Sequence, residues 1–175
     1  MNKTLILIDV QEKLLPAVQN SSSVLKTISK VLKAHKLLDQ QILVTEQYPS
    51  GLGHTVEELS AEFGELKAIA KTSFSCFCDE FKHSIDSPNK TDMILVGIEA
   101  HICVYQTCLY ALKNGYKVTV LVDAVSSRSN IDMDIALKNM EKAGAHLSTF
   151  ECEYMQQIED AKHPQFKDFS KLLKD

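Results

Sequence analysis

Short β-rich apolar runs alternate with longer segments of helical period along most of this sequence, and this alternation constrains the fold more than any other feature. It is typical of βαβ units arranged around a mainly parallel sheet. The best runs are almost continuously apolar, as expected of strands that helices cover on both faces. We therefore predict an α/β fold with six strands, over residues 4–8, 41–45, 67–70, 93–97, 117–122 and 146–150.

Apolar periodicity and end signals predict three long helices. The first buries a face formed by apolar residues between positions 24 and 32. The second covers residues 101–114 and ends at Gly115. The third begins near Asn130, after Ser129 and Asp132 in capping-box spacing, and ends at Gly144. The segment from residue 151 onward is interpreted as a packed or partner-covering extension, so we predict one domain over residues 1–175.

Composition limits the partners that this chain can have. It carries 19 basic and 23 acidic residues and a formal net charge of −4, which argues against a nucleic-acid partner and favours a small molecule. No apolar run approaches the roughly 20 residues of a membrane span, and the first apolar run is too short and too acidic for a signal peptide. Five cysteines, an odd number, do not suggest a disulfide framework. We expect reduced thiols and a cytoplasmic location.

Three residues of chemical interest follow predicted strands or begin the helix after one. Asp9 follows the first strand, Lys71 ends the third, and Cys103 lies in the first turn of the helix after the fourth. In an open parallel sheet ligands bind outside the carboxyl ends of the strands, so these groups are expected to converge. Each also has an ordinary interpretation: Asp9 as a turn cap, Lys71 as an exposed lysine, and Cys103 as a buried inert thiol.

The position of Cys103 favours a nucleophile. A helix N-terminus and a nearby lysine both stabilise a thiolate over a thiol, so a lowered thiol pKa is expected. Unpaired N–H groups at the same helix start can stabilise a developing oxyanion. These features together point to hydrolysis.

Several segments give the chain a family resemblance: LILIDVQEKLLPAV, LVTEQYPSGLGHTVEEL, KTSFSCF, VGIEAHICVYQTCLYAL, VDAVSSRS and the tail HPQFKDFSKLL. In order and spacing they resemble the isochorismatase-like cysteine hydrolases, in particular the isochorismatase domain-containing subgroup. The resemblance implies a three-layer αβα sandwich with a six-stranded parallel sheet, Rossmann-like in architecture. It also implies a homo-oligomer, a common state in this superfamily.

The resemblance also places a catalytic triad at Asp9, Lys71 and Cys103. Cys103 would attack an electrophilic carbonyl carbon to give a covalent acyl-enzyme, with Asp9 exchanging the proton and Lys71 holding Asp9. It further implies a cis peptide bond between Ile98 and Glu99, and an oxyanion hole formed by the N–H of Glu99 or Ala100 with that of Cys103.

Differences between this sequence and the members of the family that it resembles narrow the set of reactions that it could catalyse. Nicotinamidases of this superfamily carry an Asp-x-His metal motif after the second strand, where this chain has Gln47 and Pro49. His54 alone cannot supply several converging ligands, so we expect no metal and no other cofactor. The presence of Cys103 also separates the chain from isochorismatases that act on a vinyl ether without a nucleophilic cysteine.

Six side chains in or beside the strand-end loops are candidates for the substrate pocket, with core or subunit contacts as the alternative for the aromatic ones. They are Gln47, Tyr48, Phe74, Phe77, Ile102 and Tyr105. The other thiols are interpreted as structural: Cys76, Cys78, Cys108 and Cys152. The predicted function is hydrolysis of a small amide or related C–N bond. Two alternatives stay open, a catalytically idle oligomeric scaffold and a thiol-based redox protein.

Overall fold

The computed structural model of the protein describes residues 3–64, 67–85 and 92–174. Its centre is a six-stranded, fully parallel sheet in the order β3-β2-β1-β4-β5-β6. The strands are β1 (Lys3–Ile8), β2 (Ile42–Gln47), β3 (Ile69–Lys71), β4 (Asp92–Ile98), β5 (Val118–Ser126) and β6 (His146–Ser148). The predicted six-stranded α/β fold is confirmed.

Helices cover both faces of the sheet. They are α1 (Ser21–Leu37), α2 (Pro49–Leu52), α3 (Glu57–Phe63), α4 (Asp79–Ser84), α5 (Tyr105–Lys113), α6 (Asn130–Lys142), α7 (Phe150–Ile158) and α8 (Phe166–Lys174), with a 3₁₀ turn at Leu15–Ala17. One apolar cluster joins the sheet to α1, α3, α7 and α8, and another joins it to α4, α5 and α6. The molecule therefore has three layers, with a core on each side of the sheet.

Strand β1 shows why its sequence is continuously apolar. Leu5 and Leu7 pack into the first cluster, whereas Ile6 and Ile8 pack into the second, and all four are fully buried. Successive side chains of a strand point to opposite faces, so a strand with both faces covered needs apolar residues at every position.

Some predicted boundaries were wrong. Strand β5 continues past residue 122 to Ser126, through Asp123, whose carboxylate accepts the backbone N–H of Phe150. Strand β6 ends at Ser148 because Thr149 caps α7, its hydroxyl accepting the N–H of Cys152. Phe150 therefore begins a helix and does not end a strand.

The predicted cap of α6 is present, since the Ser129 hydroxyl accepts the N–H of Asp132 at 3.3 Å. None of the helices in the described ranges has both the length and the apolar character that a membrane crossing requires.

The strand order reverses direction between β1 and β4, because the chain runs outward through β2 and β3 on one side and through β5 and β6 on the other. At such a point the loops leaving the two central strands diverge and open a crevice beyond their carboxyl ends. Asp9 leaves β1 and Cys103 follows β4 at this position.

Candidate active site

Asp9 lies immediately after β1 in a left-handed conformation, with φ of 52°, and its side chain is fully buried. Both carboxylate oxygens have close donors. The Thr45 hydroxyl donates to Oδ1 at 2.8 Å, and the Lys71 ammonium donates to Oδ2 at 2.6 Å. The carboxylate is thus held from two sides at the end of the sheet.

Lys71 is the last residue of β3, and its side chain is completely inaccessible to solvent. Its Nζ contacts Asp9, the Gln47 Oε1 at 2.9 Å, and the carbonyl oxygens of Ser73 and Phe74 at 3.3 and 3.2 Å. Burial alone would lower the pKa of Lys71, but Asp9 and the nearby thiols outweigh it and raise that pKa. The interpretation of Lys71 as an ordinary exposed lysine is wrong.

Cys103 lies in a π-helical turn, Ala100–Val104, that leads directly into α5. Such turns are uncommon and frequently occur at functional sites. The N–H groups of Ile102 and Val104 both donate to the Glu99 carbonyl, at 3.1 and 3.3 Å. The peptide bond between Ile98 and Glu99 is cis.

The electrostatics of the Cys103 thiol differ from the sequence-based expectation. Burial raises its pKa well above the ordinary value, and Asp9 raises it further through its charge and by accepting a hydrogen bond from the thiol. Lys71 acts in the opposite direction but does not compensate. The expected lowered pKa is therefore wrong for the resting site, because that expectation left out burial and Asp9. The thiol holds its proton at neutral pH, beside the Asp9 carboxylate.

Three buried polar residues that the sequence pattern did not indicate contribute to the site. Gln11, Thr45 and Cys76 are all fully buried. Gln11 holds the end of β2, since its Oε1 accepts the N–H of Gln47 at 2.7 Å and its Nε2 donates to the Gln47 carbonyl at 3.0 Å. The sequence could have indicated two of them by their position near strand ends, because Gln11 closely follows Asp9 and Thr45 lies near the end of β2.

The segment that carries the metal motif in nicotinamidases is occupied here by other interactions. Gln47 bonds Lys71 through Oε1 and the Thr72 carbonyl through Nε2. The Glu46 carboxylate accepts the N–H and hydroxyl of Thr55 and contacts His54 Nδ1 at 3.0 Å. Burial opposes ionisation of Glu46, but these hydrogen bonds lower its pKa overall. Within the described ranges, no three His, Cys, Asp or Glu side chains are grouped to hold a metal ion.

The candidate pocket residues fall into different environments. Tyr48 and Phe74 are 56% and 52% exposed, and Tyr48 lines a cleft of about 290 Å³ together with Thr72 and Ser73. Ile102 and Tyr105 are partly buried against the apolar cluster that contains Cys103. Phe77 is buried and packs against three aromatic rings, those of Phe81, Tyr110 and Tyr116. Its environment is that of an ordinary core residue and not that of a pocket residue.

Comparisons with known proteins give a consistent result. The model of the isochorismatase domain matches residues 3–152. Human isochorismatase domain-containing protein 2 is 41% identical, and the alignment covers 99% of this chain and 84% of the human protein.

Solved structures agree with the observed fold. A structure described as MAR1 ribonuclease from Caenorhabditis elegans is 39% identical, has a TM-score of 0.94, and is matched over 99% of this chain and 90% of its own. The YcaC gene product of Escherichia coli, described as an octameric hydrolase of unknown specificity, is 23% identical with a TM-score of 0.86, over 99% and 92% of the two chains.

Proposed function

The chain belongs to the isochorismatase family, and from this membership and the geometry of its site we propose that it is a metal-independent cysteine hydrolase acting on a small amide or related C–N bond. One observation carries the proposal: a buried carboxylate, Asp9, is paired with the Lys71 ammonium and interacts electrostatically with the Cys103 thiol at the switch point of the sheet. The amide of Gln47, where nicotinamidases have a ligand, supports a reaction without a metal.

In the proposed mechanism the Cys103 proton moves to Asp9 as sulfur attacks the substrate carbonyl carbon, because the resting thiol is protonated. The tetrahedral intermediate collapses, the C–N bond breaks, and the amine leaves with the proton from Asp9. Water then attacks the thioester and returns a proton to Asp9. Release of the carboxylic acid restores the thiol, so each turnover consumes one water and one amide.

Backbone N–H groups at the start of the π turn are the proposed oxyanion donors. We assign this role to Glu99 or Ala100 together with Cys103. The neighbouring amide of His101 donates to the Ser127 hydroxyl at 3.3 Å, which ties the turn to the end of β5. A rigidly held turn suits preorganised stabilisation of a developing negative charge.

The test is a panel of small primary amides (acetamide, propionamide, benzamide and nicotinamide), with ammonia release as the signal. We expect release from at least one amide, loss of that release in Cys103→Ala, and an acyl adduct on the Cys103 peptide after acid quench. Cys152→Ala is the matched control, because Cys152 is exposed and lies outside the site. Ammonia release that survives in Cys103→Ala contradicts the proposal.

The name of the nematode structure suggests a second candidate, cleavage of RNA. Binding of a phosphate backbone requires basic side chains that can neutralise it. Here acidic residues outnumber basic ones by 23 to 19, and Lys71 is buried in an ion pair. We therefore favour amide hydrolysis. RNA cleavage by the wild-type protein that disappears in Cys103→Ala would replace amide hydrolysis as the proposed activity.

The two non-hydrolytic alternatives are disfavoured on different grounds. Redox-sensing cysteines are accessible and have a low pKa, whereas Cys103 is 5% exposed and its pKa is raised. An idle scaffold has no need for a buried Lys71–Asp9 pair, because burying two charges is costly. The cytoplasmic location stays a prediction.

We also propose that the protein is a homo-oligomer. The octameric state of YcaC supports this, and so do Ile131 and Ile135, which lie one turn apart on α6 with 77% and 52% of their surface exposed. Light scattering after size exclusion, with Ile131→Lys/Ile135→Lys as the comparison, tests it. A monomeric wild-type protein contradicts the proposal.

A further inference from the structure

Cys76 is fully buried beside the proposed catalytic residues. Its Sγ lies 3.6 Å from the Thr45 hydroxyl, and its backbone N–H donates to the Thr107 hydroxyl at 3.0 Å. Thr107 follows Cys103 by one helical turn. Strand β2 and helix α5 therefore hold Cys76 in place between them.

The direction of the hydrogen bonds follows from the chemistry of the groups. A hydroxyl has one hydrogen to donate, and a carboxylate only accepts. Because Thr45 donates to Asp9 Oδ1 at 2.8 Å, its hydrogen is committed, and the Cys76 contact must run from the thiol to the hydroxyl oxygen. Burial raises the pKa of Cys76 to about 12, so the thiol keeps the hydrogen that this direction requires.

We propose that Cys76 and Thr45 are positioning residues for the proposed reaction, with the thiol donating to the Thr45 hydroxyl and that hydroxyl donating to Oδ1 of Asp9. This inference rests on the proposed function and deepens it. Lys71 holds the other oxygen, Oδ2, at 2.6 Å, so rotation of the carboxylate breaks a contact on one side or the other. The two donors together fix one orientation of Asp9 toward the Cys103 proton.

A merely structural role explains this arrangement less well. Thr45 is fully buried in β2, and valine, which occupies the preceding position 44 of this strand, has the same shape as threonine but no polar atom in its side chain. Valine at position 45 would therefore fill the same space without burying a hydroxyl. A hydroxyl at this position contributes only through its hydrogen bonds. Both of its partners, Asp9 and Cys76, interact electrostatically with Cys103.

The experiment uses p-nitrophenyl acetate as an acylating probe and follows the burst of p-nitrophenol release from pH 5 to 9 in the 175-residue chain. We expect Thr45→Val to slow acylation about tenfold or more, because it removes a hydrogen bond to a charged group. The pH profile of its burst should also differ from that of the wild type, because Thr45 donates a hydrogen bond directly to the proposed proton acceptor. Thr45→Ser should restore both the rate and the profile.

Cys76 is tested by a second pair of variants. Cys76→Ala should slow acylation about threefold, the size expected for one weak neutral hydrogen bond, and Cys76→Ser should retain the wild-type rate because it keeps a donor. If Thr45→Val does not fold, as judged by circular dichroism, this pair decides alone. Thr4→Val and Cys108→Ala are the matched controls, since both residues are buried outside the site; we expect rates within about twofold of wild type.

The outcomes separate this inference from the proposed function. A burst that persists in Cys103→Ala overturns the nucleophile assignment. A burst that requires Cys103 but is unchanged, in rate and in pH profile, in Thr45→Val and Cys76→Ala overturns only the positioning role. Equal losses in Cys76→Ala and Cys108→Ala would show that loss of packing, and not the hydrogen bond, causes the effect.

Discussion

Asp9 and Lys71 form an ion pair whose two side chains are completely inaccessible to solvent. A buried pair adds little net stability, but removing one partner leaves an uncompensated charge in the interior. Each of these two charges can therefore be buried only because the other one compensates it. Burial also raises the pKa of the neighbouring Cys103 thiol.

Loss of one partner of this ion pair should destabilise the fold. Lys71→Met should lower the free energy of unfolding by about 3–5 kcal/mol, because it leaves the Asp9 carboxylate buried without a counter-ion. Adding Asp9→Asn should recover most of the loss, since the neutral amide removes the charge. Urea unfolding followed by circular dichroism measures both. Lys82→Met, in an exposed ion pair with Asp79, is the control and should change stability by less than about 1 kcal/mol. Additive losses in the double variant would contradict the argument.

The site residues differ in how far the sequence could reveal them. Asp9, Lys71 and Cys103 stand next to recognisable strands, and the rule for parallel sheets places them at one edge. Thr45 and Cys76 were missed because their partners lie 36 and 31 residues away along the chain. A threonine at the end of an apolar strand is ordinary by composition, and only the register of β1 against β2 sets it beside Asp9.

At the scale of elements, β4 is shaped by Gly97, which has a φ of 120°. A Cβ at this position would lie 2.1 Å from the Ile8 carbonyl oxygen, one residue before Asp9. The close approach of β4 to β1 at the site therefore requires glycine. The register of β4 against β5 also shifts at this point, between Leu95 and Gly97.

We predict that Gly97→Ala will be strongly destabilising and will abolish acylation of Cys103, because the ends of β1 and β4 must separate to admit the methyl group. Gly144→Ala is a matched control, since Gly144 has a φ of 110° but open space around it. Its loss should be only the strain of the left-handed backbone, about 1–3 kcal/mol. Thermal unfolding compares the two. Equal losses would show that strain, and not the Ile8 contact, dominates.

Helix α1 is attached to the first strand and to α7 through His35, which is fully buried. Its Nε2 lies 3.2 Å from the Lys3 carbonyl, which only accepts, so Nε2 carries the proton. Its Nδ1 then accepts from the Tyr154 hydroxyl at 2.8 Å. The neutral ring is satisfied on both sides, and the charged groups nearby are Lys3 and its partner Glu153.

This arrangement predicts a pH dependence of stability. Burial lowers the pKa of His35 from 6.5 to about 4, so between these values the unfolded chain binds a proton that the folded protein does not. Stability should fall as the pH decreases from 6.5, by up to about 3 kcal/mol below pH 4. Urea unfolding across this range should show a smaller slope in His35→Gln, whereas His146→Gln, at an exposed site, should keep the wild-type slope. An unchanged slope in His35→Gln would contradict the assignment.

Element boundaries were harder to predict than element types. Strand β5 continues through Asp123, an exposed residue whose carboxylate accepts the backbone N–H of Phe150, a residue distant along the chain. The π turn at Cys103 was also not predictable, since one additional residue in a helical turn leaves the apolar period almost unchanged. In both cases tertiary contacts determine the local backbone structure, and the local sequence pattern does not reveal such contacts.

At the scale of the whole molecule, the question is whether the tail belongs to the same cooperative unit. The family model ends at residue 152, yet α7 and α8 pack against the core that α1 and the sheet share. Phe169 of α8 is fully buried and stacks on Phe150 at 5.7 Å between ring centroids. One domain over residues 1–175 stays a prediction.

That prediction can be tested by removing a buried contact of the tail. Phe169→Ala should lower the free energy of unfolding of the entire protein by about 3–5 kcal/mol, the usual cost of deleting a buried phenylalanine side chain. Unfolding should still occur in one transition, with circular dichroism and tyrosine fluorescence giving coincident curves. Lys171→Ala, an exposed residue of the same helix, should change stability by less than about 1 kcal/mol. Separate transitions, with the tail unfolding first while Cys103 still reacts with p-nitrophenyl acetate, would instead show that α8 is an appendage and that the catalytic unit ends before it.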